Sequence, residues 1–118
     1  MKRRSPLPNY LRTHRKRARL SQQDVAFLIG CKSSARISRY ERCRQNPNLR
    51  TLLAYELLLH TPIRELYGGV AEEVERDMKK RVRLFVRHLA RRRPDHRNER
   101  KAKFLVAIWK EVPRSRAP

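Results

Sequence analysis

The stretch from Ser21 to Glu41, SQQDVAFLIGCKSSARISRYE, leaves this chain little choice of architecture. Ser21 is a good N-cap, and Asp24 three residues on completes a carboxylate variant of the capping box. Val25, Ala26, Leu28 and Ile29 then cluster on one helical face. Gly30 ends that helix, because glycine takes a positive φ without steric cost. Ser33 or Ser34 can cap a second helix, in which Ile37 and Tyr40 point inward at spacing i, i+3. Ser34, Ala35, Arg36, Ser38 and Arg39 are left largely outward. Two short helices, a tight turn and an outward row of small polar and Arg side chains describe a bihelical unit whose second helix can enter a groove.

The flanking segments continue the helical pattern. Residues 1–8, MKRRSPLP, read as a disordered basic arm. It is either a solvated tail or a contact to phosphates or a minor groove. Asn9 is the expected cap of a first helix from Tyr10 to about Arg19, with Tyr10, Leu11, His14 and Ala18 inward. After the bihelical unit, Pro47 restricts Asn46 and ends any helix. Asn48 then caps a helix from Leu49 to about Leu59, whose core positions are expected at Leu49, Leu52, Leu53, Leu57 and Leu58. Thr61 as N-cap and Pro62 at the first helical position start a short helix holding Ile63, Leu66 and Tyr67, closed by Gly68-Gly69. Residues 9–68 thus read as five short helices around one core, in a domain spanning 9–69.

Val70 to Arg93 reads as one longer helix with an apolar stripe of Val70, Val74, Met78, Val82, Phe85, Val86 and Leu89. Acids near its start (Glu72, Glu73, Glu75, Asp77) and bases near its end (Arg87, Arg91, Arg92, Arg93) suit the helix dipole. Pro94 stops it. Asp95 caps a last helix to about Glu111, with Phe104, Leu105, Ile108, Trp109 and Val112 apolar, and the terminal VPRSRAP frays. No repeat and no strand-like alternation stands out. The expected fold class is all-α, with residues 70–118 a helical extension that dimerises or binds a protein partner through residues 70–112.

Charge narrows the partner. The chain carries a net +20 over 118 residues, with 39% apolar and 36% charged side chains, so a small core lies under a heavily charged surface. A chain this basic calls for a polyanion: nucleic acid, an anionic membrane surface or an acidic protein. Residues 1–50 hold fourteen Lys and Arg against two acids, residues 51–77 two against six, and residues 78–118 fifteen against three. The two basic ends are the segments to face a polyanion. No window approaches the roughly 18 apolar residues of a membrane span, and no apolar run follows the basic N-terminus, so neither a membrane segment nor a secretory signal is expected. Cys31 and Cys43 form no disulfide framework and read as reduced thiols of a cytoplasmic protein, Cys31 as a small core residue. His14 stands alone, and no second His or Cys sits at metal-ligand spacing. With no Gly-rich phosphate loop and no nucleophile–base pair, neither an enzyme, a metal nor a cofactor is expected.

At Leu20 to Ala26 (LSQQDVA), Gly30, Ile37 to Arg42 (ISRYER) and Pro47, the chain resembles the Cro/repressor (XRE) family of helix-turn-helix DNA-binding proteins. The resemblance covers about residues 9–68, half the chain, and lies in the order of the pieces as well as their identity. It implies a five-helix, lambda-repressor-like domain, in agreement with the helix count. It also implies that Gln22 contacts a DNA phosphate. Ser33, Ser34, Arg36 and Arg39 would face the major groove, with Lys32 in the turn ahead of them, and Arg42 and Arg44 would approach the backbone from the following loop. Arg15 and Glu41 match an internal ion pair joining the first helix to the end of the third. The chain departs from the family twice. Six residues separate Gly30 from Ile37, where the commonest pattern has five, the extra one lying in Lys32-Ser33-Ser34. Cys43 stands where the family often has Gly, which predicts a different helix-terminating turn.

The function this implies is a sequence-specific, double-stranded DNA-binding transcriptional regulator, a homodimeric repressor working on the nucleoid in the cytoplasm. Two readings compete with it. One is an antitoxin-type regulator whose C-terminal helices bind a partner protein. The other is a nonspecific nucleic-acid binder acting through charge alone.

Overall fold

The computed structural model describes residues 7–92 and 94–111, and every regular element among them is a helix. The expectations placed on residues 1–6, Arg93, Val112 and the terminal tail lie outside the described residues. The chain divides between Ala71 and Glu72 into two compact units.

The first unit holds α1 (Leu11–Arg17), α2 (Gln22–Ile29), α3 (Ser34–Glu41), α4 (Leu49–Leu59), α5 (Ile63–Leu66) and the start of α6 (Gly68–Ala90). α2 packs on α3 and α4, α4 on α5, and α1 on α3. The core is Leu11, Val25, Ala26, Ile37, Tyr40, Tyr55, Leu66 and Tyr67, with Leu20, Ile29, Cys31, Leu52, Leu58, Leu59, Ile63 and Val70 packed around it. The Tyr40 and Tyr55 rings meet edge to face, centroids 6.4 Å apart, a geometry that sets a positive ring edge on a negative face. Burial pushes the Tyr55 hydroxyl well above its ordinary pKa. Its oxygen has no hydrogen-bond partner among the described residues, so the ring's apolar burial must outweigh the desolvated hydroxyl.

Several expectations about this unit are corrected. α1 begins at Leu11, and its inward side chains are Leu11 and Arg15, while Tyr10 and Ala18 are exposed. Asn9 does receive a first-turn N–H, from Leu11 at 3.0 Å, although the N-cap position is Tyr10. In α2, Leu28 is exposed rather than inward. α4 turns Tyr55 fully into the core and leaves Leu49, Leu53 and Leu57 at 67%, 45% and 76% exposure. Its sequence LRTLLAYELLL carries apolar residues on more than one face, so spacing alone does not choose between them. The N-cap of α5 is Pro62, not Thr61; the Thr61 hydroxyl instead donates to the Leu59 carbonyl at 2.9 Å. Gly68 and Gly69 do not close α5. They open α6, where burial of Tyr67 and Val70 outweighs the roughly 1 kcal/mol that each glycine costs in a helix.

Four helices end in the same way. After α1, α2, α3 and α4 the chain passes through Arg19 (φ 62°), Gly30 (φ 82°), Cys43 (φ 59°) and His60 (φ 51°). In each case the next residue's N–H returns to the helix: Leu20 to Arg15, Cys31 to Ala26, Arg44 to Arg39 and Thr61 to Glu56, at 2.7–3.3 Å. This is the Schellman closure, which satisfies carbonyls that a helix end leaves open. Cys43 therefore does not alter the terminating turn; it takes the left-handed conformation a glycine would take.

The second unit contains the remainder of α6 and α7 (His96–Glu111). α6 ends at Ala90, short of Arg93, in a turn ahead of Pro94. Asp95 caps α7 by accepting the Arg97 N–H at 3.1 Å. Leu89 is buried, whereas Val74, Met78, Phe85, Phe104, Val106 and Ile108 are exposed. Val82, Val86, Val106 and Trp109 line a shallow groove. No described helix is long and apolar enough to cross a membrane.

A left-handed φ costs an L-residue about 1–2 kcal/mol and glycine almost nothing. His60→Gly, at an exposed side chain, is expected to raise stability by about 0.5–1 kcal/mol after the extra freedom of the unfolded glycine is set against that relief. Gly30→Ala is expected to lower it by about 1 kcal/mol, since the added Cβ finds open space but the wrong φ. Urea midpoints of the two variants check both signs.

Candidate nucleic-acid interface

The interface is built on α2 and α3. Ser21 Oγ accepts the Asp24 N–H at 3.0 Å and Asp24 Oδ2 accepts the Ser21 N–H at 2.9 Å, a complete capping box. These bonds hold the exposed Asp24 carboxyl below the usual carboxylate range, the Ser21 backbone N–H contributing most. At the other end, Gly30 reverses the chain and Cys31 tucks partly against the core. Lys32 and Ser33 in the turn are both exposed, and α3 begins at Ser34 with Ser33 as N-cap. Ile37 and Tyr40 then fall into the core. That anchoring leaves Ala35, Arg36 and Arg39 exposed and Ser34 and Ser38 half-buried.

The predicted residues are distributed unequally. Lys32, Ser33, Arg36, Arg39, Arg42 and Arg44 are exposed, in or beside α3, and Arg36 and Arg39 share one helix face. Gln22 is half-buried, and its Nε2 donates to Glu41 Oε1 at 3.1 Å. Glu41 also accepts from Arg15, with Nε to Oε2 at 2.5 Å and Nη2 to Oε1 at 3.1 Å. The third guanidinium nitrogen, Nη1, donates to the Leu20 carbonyl at 2.9 Å. The two charged side chains are 9% and 1% exposed. The hydrogen bond to Glu41 raises the Arg15 pKa above its ordinary value.

Electrostatics follows from this pairing. Asp24 and Glu41 are the two acids of residues 1–50. One is engaged by the start of α2 and the other by Arg15. The Lys and Arg side chains around α3 therefore face solvent with little opposing charge. A convex helix carrying unopposed guanidinium groups suits a polyanion with a groove, where Arg can pair bidentately with a base edge or a phosphate.

Some partners were not foreseen. Asn9 Nδ2 donates to the Tyr40 carbonyl at 2.9 Å, tying the start of α1 to the end of α3. Asn46 Oδ1 accepts the Leu7 N–H at 2.9 Å. Arg39 Nε donates to Gln45 Oε1, and Arg42 Nε to Ser38 Oγ. Asn9 carried a sequence signal, as a helix cap; Gln45 and Asn46 sit in a polar loop whose composition says nothing about pairing.

The helix-turn-helix family model matches residues 11–66, from the first residue of α1 to the last of α5. The chain carries a helix-turn-helix domain of the Cro/repressor (XRE) type. No curated protein and no solved structure matches the chain significantly. The match gives the helix-turn-helix domain a DNA-binding role of the transcription-regulator kind. It ends before α6, so α6 and α7 are additions to the family domain.

Removing one partner of a buried ion pair strands the other charge, at about 3–5 kcal/mol. Arg15→Ala is expected to fall in this range, because the Glu41 side chain is nearly inaccessible and would keep only the Gln22 amide. Chemical denaturation should show a loss of that size for Arg15→Ala and less than 1 kcal/mol for Arg17→Ala, an exposed neighbour.

Proposed function

We propose that the protein is a sequence-specific, double-stranded DNA-binding transcriptional repressor. It reads the major groove through Arg36 and Arg39, with Lys32, Ser33 and Ser34 at the entry to α3. Gln22, Arg42 and Arg44 position it on phosphates, contacts that fix register without reading sequence. The observation that carries this reading is α3 itself: Ile37 and Tyr40 are sunk in the core while Arg36 and Arg39 stand out on the helix. Repression needs the fewest parts, since a domain seated across a promoter blocks it by occupancy. The protein works as a homodimer through residues 70–112, where Phe85, Phe104, Val106 and Ile108 lie exposed, and acts in the compartment that holds the DNA. The same exposed side chains support a second reading, in which α6 and α7 hold a partner protein and the regulator is of the antitoxin type.

Selection from random duplex DNA at near-physiological salt tests the reading, with wild type beside Arg36→Ala/Arg39→Ala. A palindromic consensus is expected, because a two-fold dimer places its recognition helices on two half-sites about one DNA turn apart. Each lost bidentate contact should cost about 1–3 kcal/mol of discrimination at its base pair. Recovery of no consensus, with the double variant only slightly weaker, assigns the binding to charge alone. Sedimentation as a strict monomer at tens of micromolar, with and without DNA, removes the dimer. A stoichiometric co-purifying protein favours the second reading.

A further inference from the structure

Arg39 is held along one edge. Its Nε donates to Gln45 Oε1 at 3.1 Å, and among the described residues Nη1 and Nη2 have no partner. Gln45 lies beyond the end of α3, and the backbone brings it back. Left-handed Cys43 reverses the chain, and the Arg44 N–H closes onto the Arg39 carbonyl at 2.8 Å. The residue after Arg44 is thereby returned to the level of Arg39, whose side chain it meets. Both side chains remain exposed.

The contact has a chemical consequence. A guanidinium can grip the O6/N7 edge of guanine side-on, through Nε and one Nη, or end-on, through the two Nη groups. With Nε engaged, only the end-on fork is presented. The tether also fixes a side chain rich in rotamers before any ligand arrives, which reduces the ordering cost of binding. We propose that Gln45 is a specificity-determining positioning residue: by holding Arg39 Nε, it aims the Nη1/Nη2 pair end-on at a guanine in the major groove. Arg42 is tethered at the same atom, Nε to Ser38 Oγ at 3.3 Å, so the two arginines at the end of α3 share one mode of presentation.

The inference rests on the proposed reading of DNA sequence, and one experiment separates the two. The selected wild-type site is used in competition binding against single base-pair changes, with Arg39→Ala identifying the pair that Arg39 reads. Gln45→Ala is expected to reduce the guanine preference at that pair by about 2- to 10-fold, the range of one hydrogen bond. Preference at the pair read by Arg36 should stay at the wild-type value. Gln45→Glu keeps an acceptor oxygen in place and should restore the preference, although its added negative charge lowers affinity for every sequence alike. Full guanine preference in Gln45→Ala overturns the inference. So does an equal loss of preference at all pairs, which marks a structural or phosphate role. A wild type with no base preference removes the sequence-reading function and the inference with it.

Discussion

Glu41 is the point at which the first three helices of the domain meet. Its carboxylate sits at the last turn of α3 and accepts three hydrogen bonds, two from Arg15 on α1 and one from Gln22 on α2. A buried ionised carboxylate is costly unless its lone pairs are occupied. Here the donors come from two different helices, and they can reach it only in one relative placement of all three. Hydrophobic burial of Leu11, Val25 and Ile37 drives these helices together, but apolar contact is not directional and tolerates small rotations. The ion pair supplies direction. A rotation of α3 that moved Arg36 and Arg39 along the surface would also pull Glu41 from Arg15, so the outer face of the helix inherits its position from a charge pair on the inner side.

The helical order of the domain was legible because capping and periodicity agreed. Ser21–Asp24, Asn48 and Asp95 each sit where a cap is needed, and the structure places the capping bonds there. The helix endings were less legible. Of the four left-handed residues that close α1 to α4, only Gly30 announces itself. Arg19, Cys43 and His60 take that conformation because the packed helices over-determine the path between them, at a cost no composition rule records. α4 shows the opposite limit. Leu occupies so many of its positions that the pattern fits more than one core face. The face bearing Tyr55 is selected by tertiary partners, among them the ring of Tyr40.

The candidate interface divides along the same line. Arg36 and Arg39 were legible, because Ile37 and Tyr40 at helical spacing fix which side of α3 is left outside. Lys32 and Ser33 lie in the turn ahead of α3, while Ile37 and Tyr40 fix the face that the helix buries. Gln45 and Asn9 were not legible as partners of α3. Their hydrogen bonds join segments brought together by the fold, and a polar side chain in a loop gives no hint of which distant group it meets.

The uncovered leucines of α4 bear on what keeps this protein in solution. Leu49, Leu53 and Leu57 recur every four residues along one helix and lie open to water, a row that tends to meet its like. Opposing that tendency is the mutual repulsion of molecules that each carry a net +20. Colloidal stability in this chain therefore rests on charge, and charge is what a polyanion removes. On DNA, phosphates neutralise the basic surface locally while the apolar row stays as it was. The balance between repulsion and apolar attraction is therefore set by whatever screens the charge, since counter-ions weaken the first and leave the second untouched.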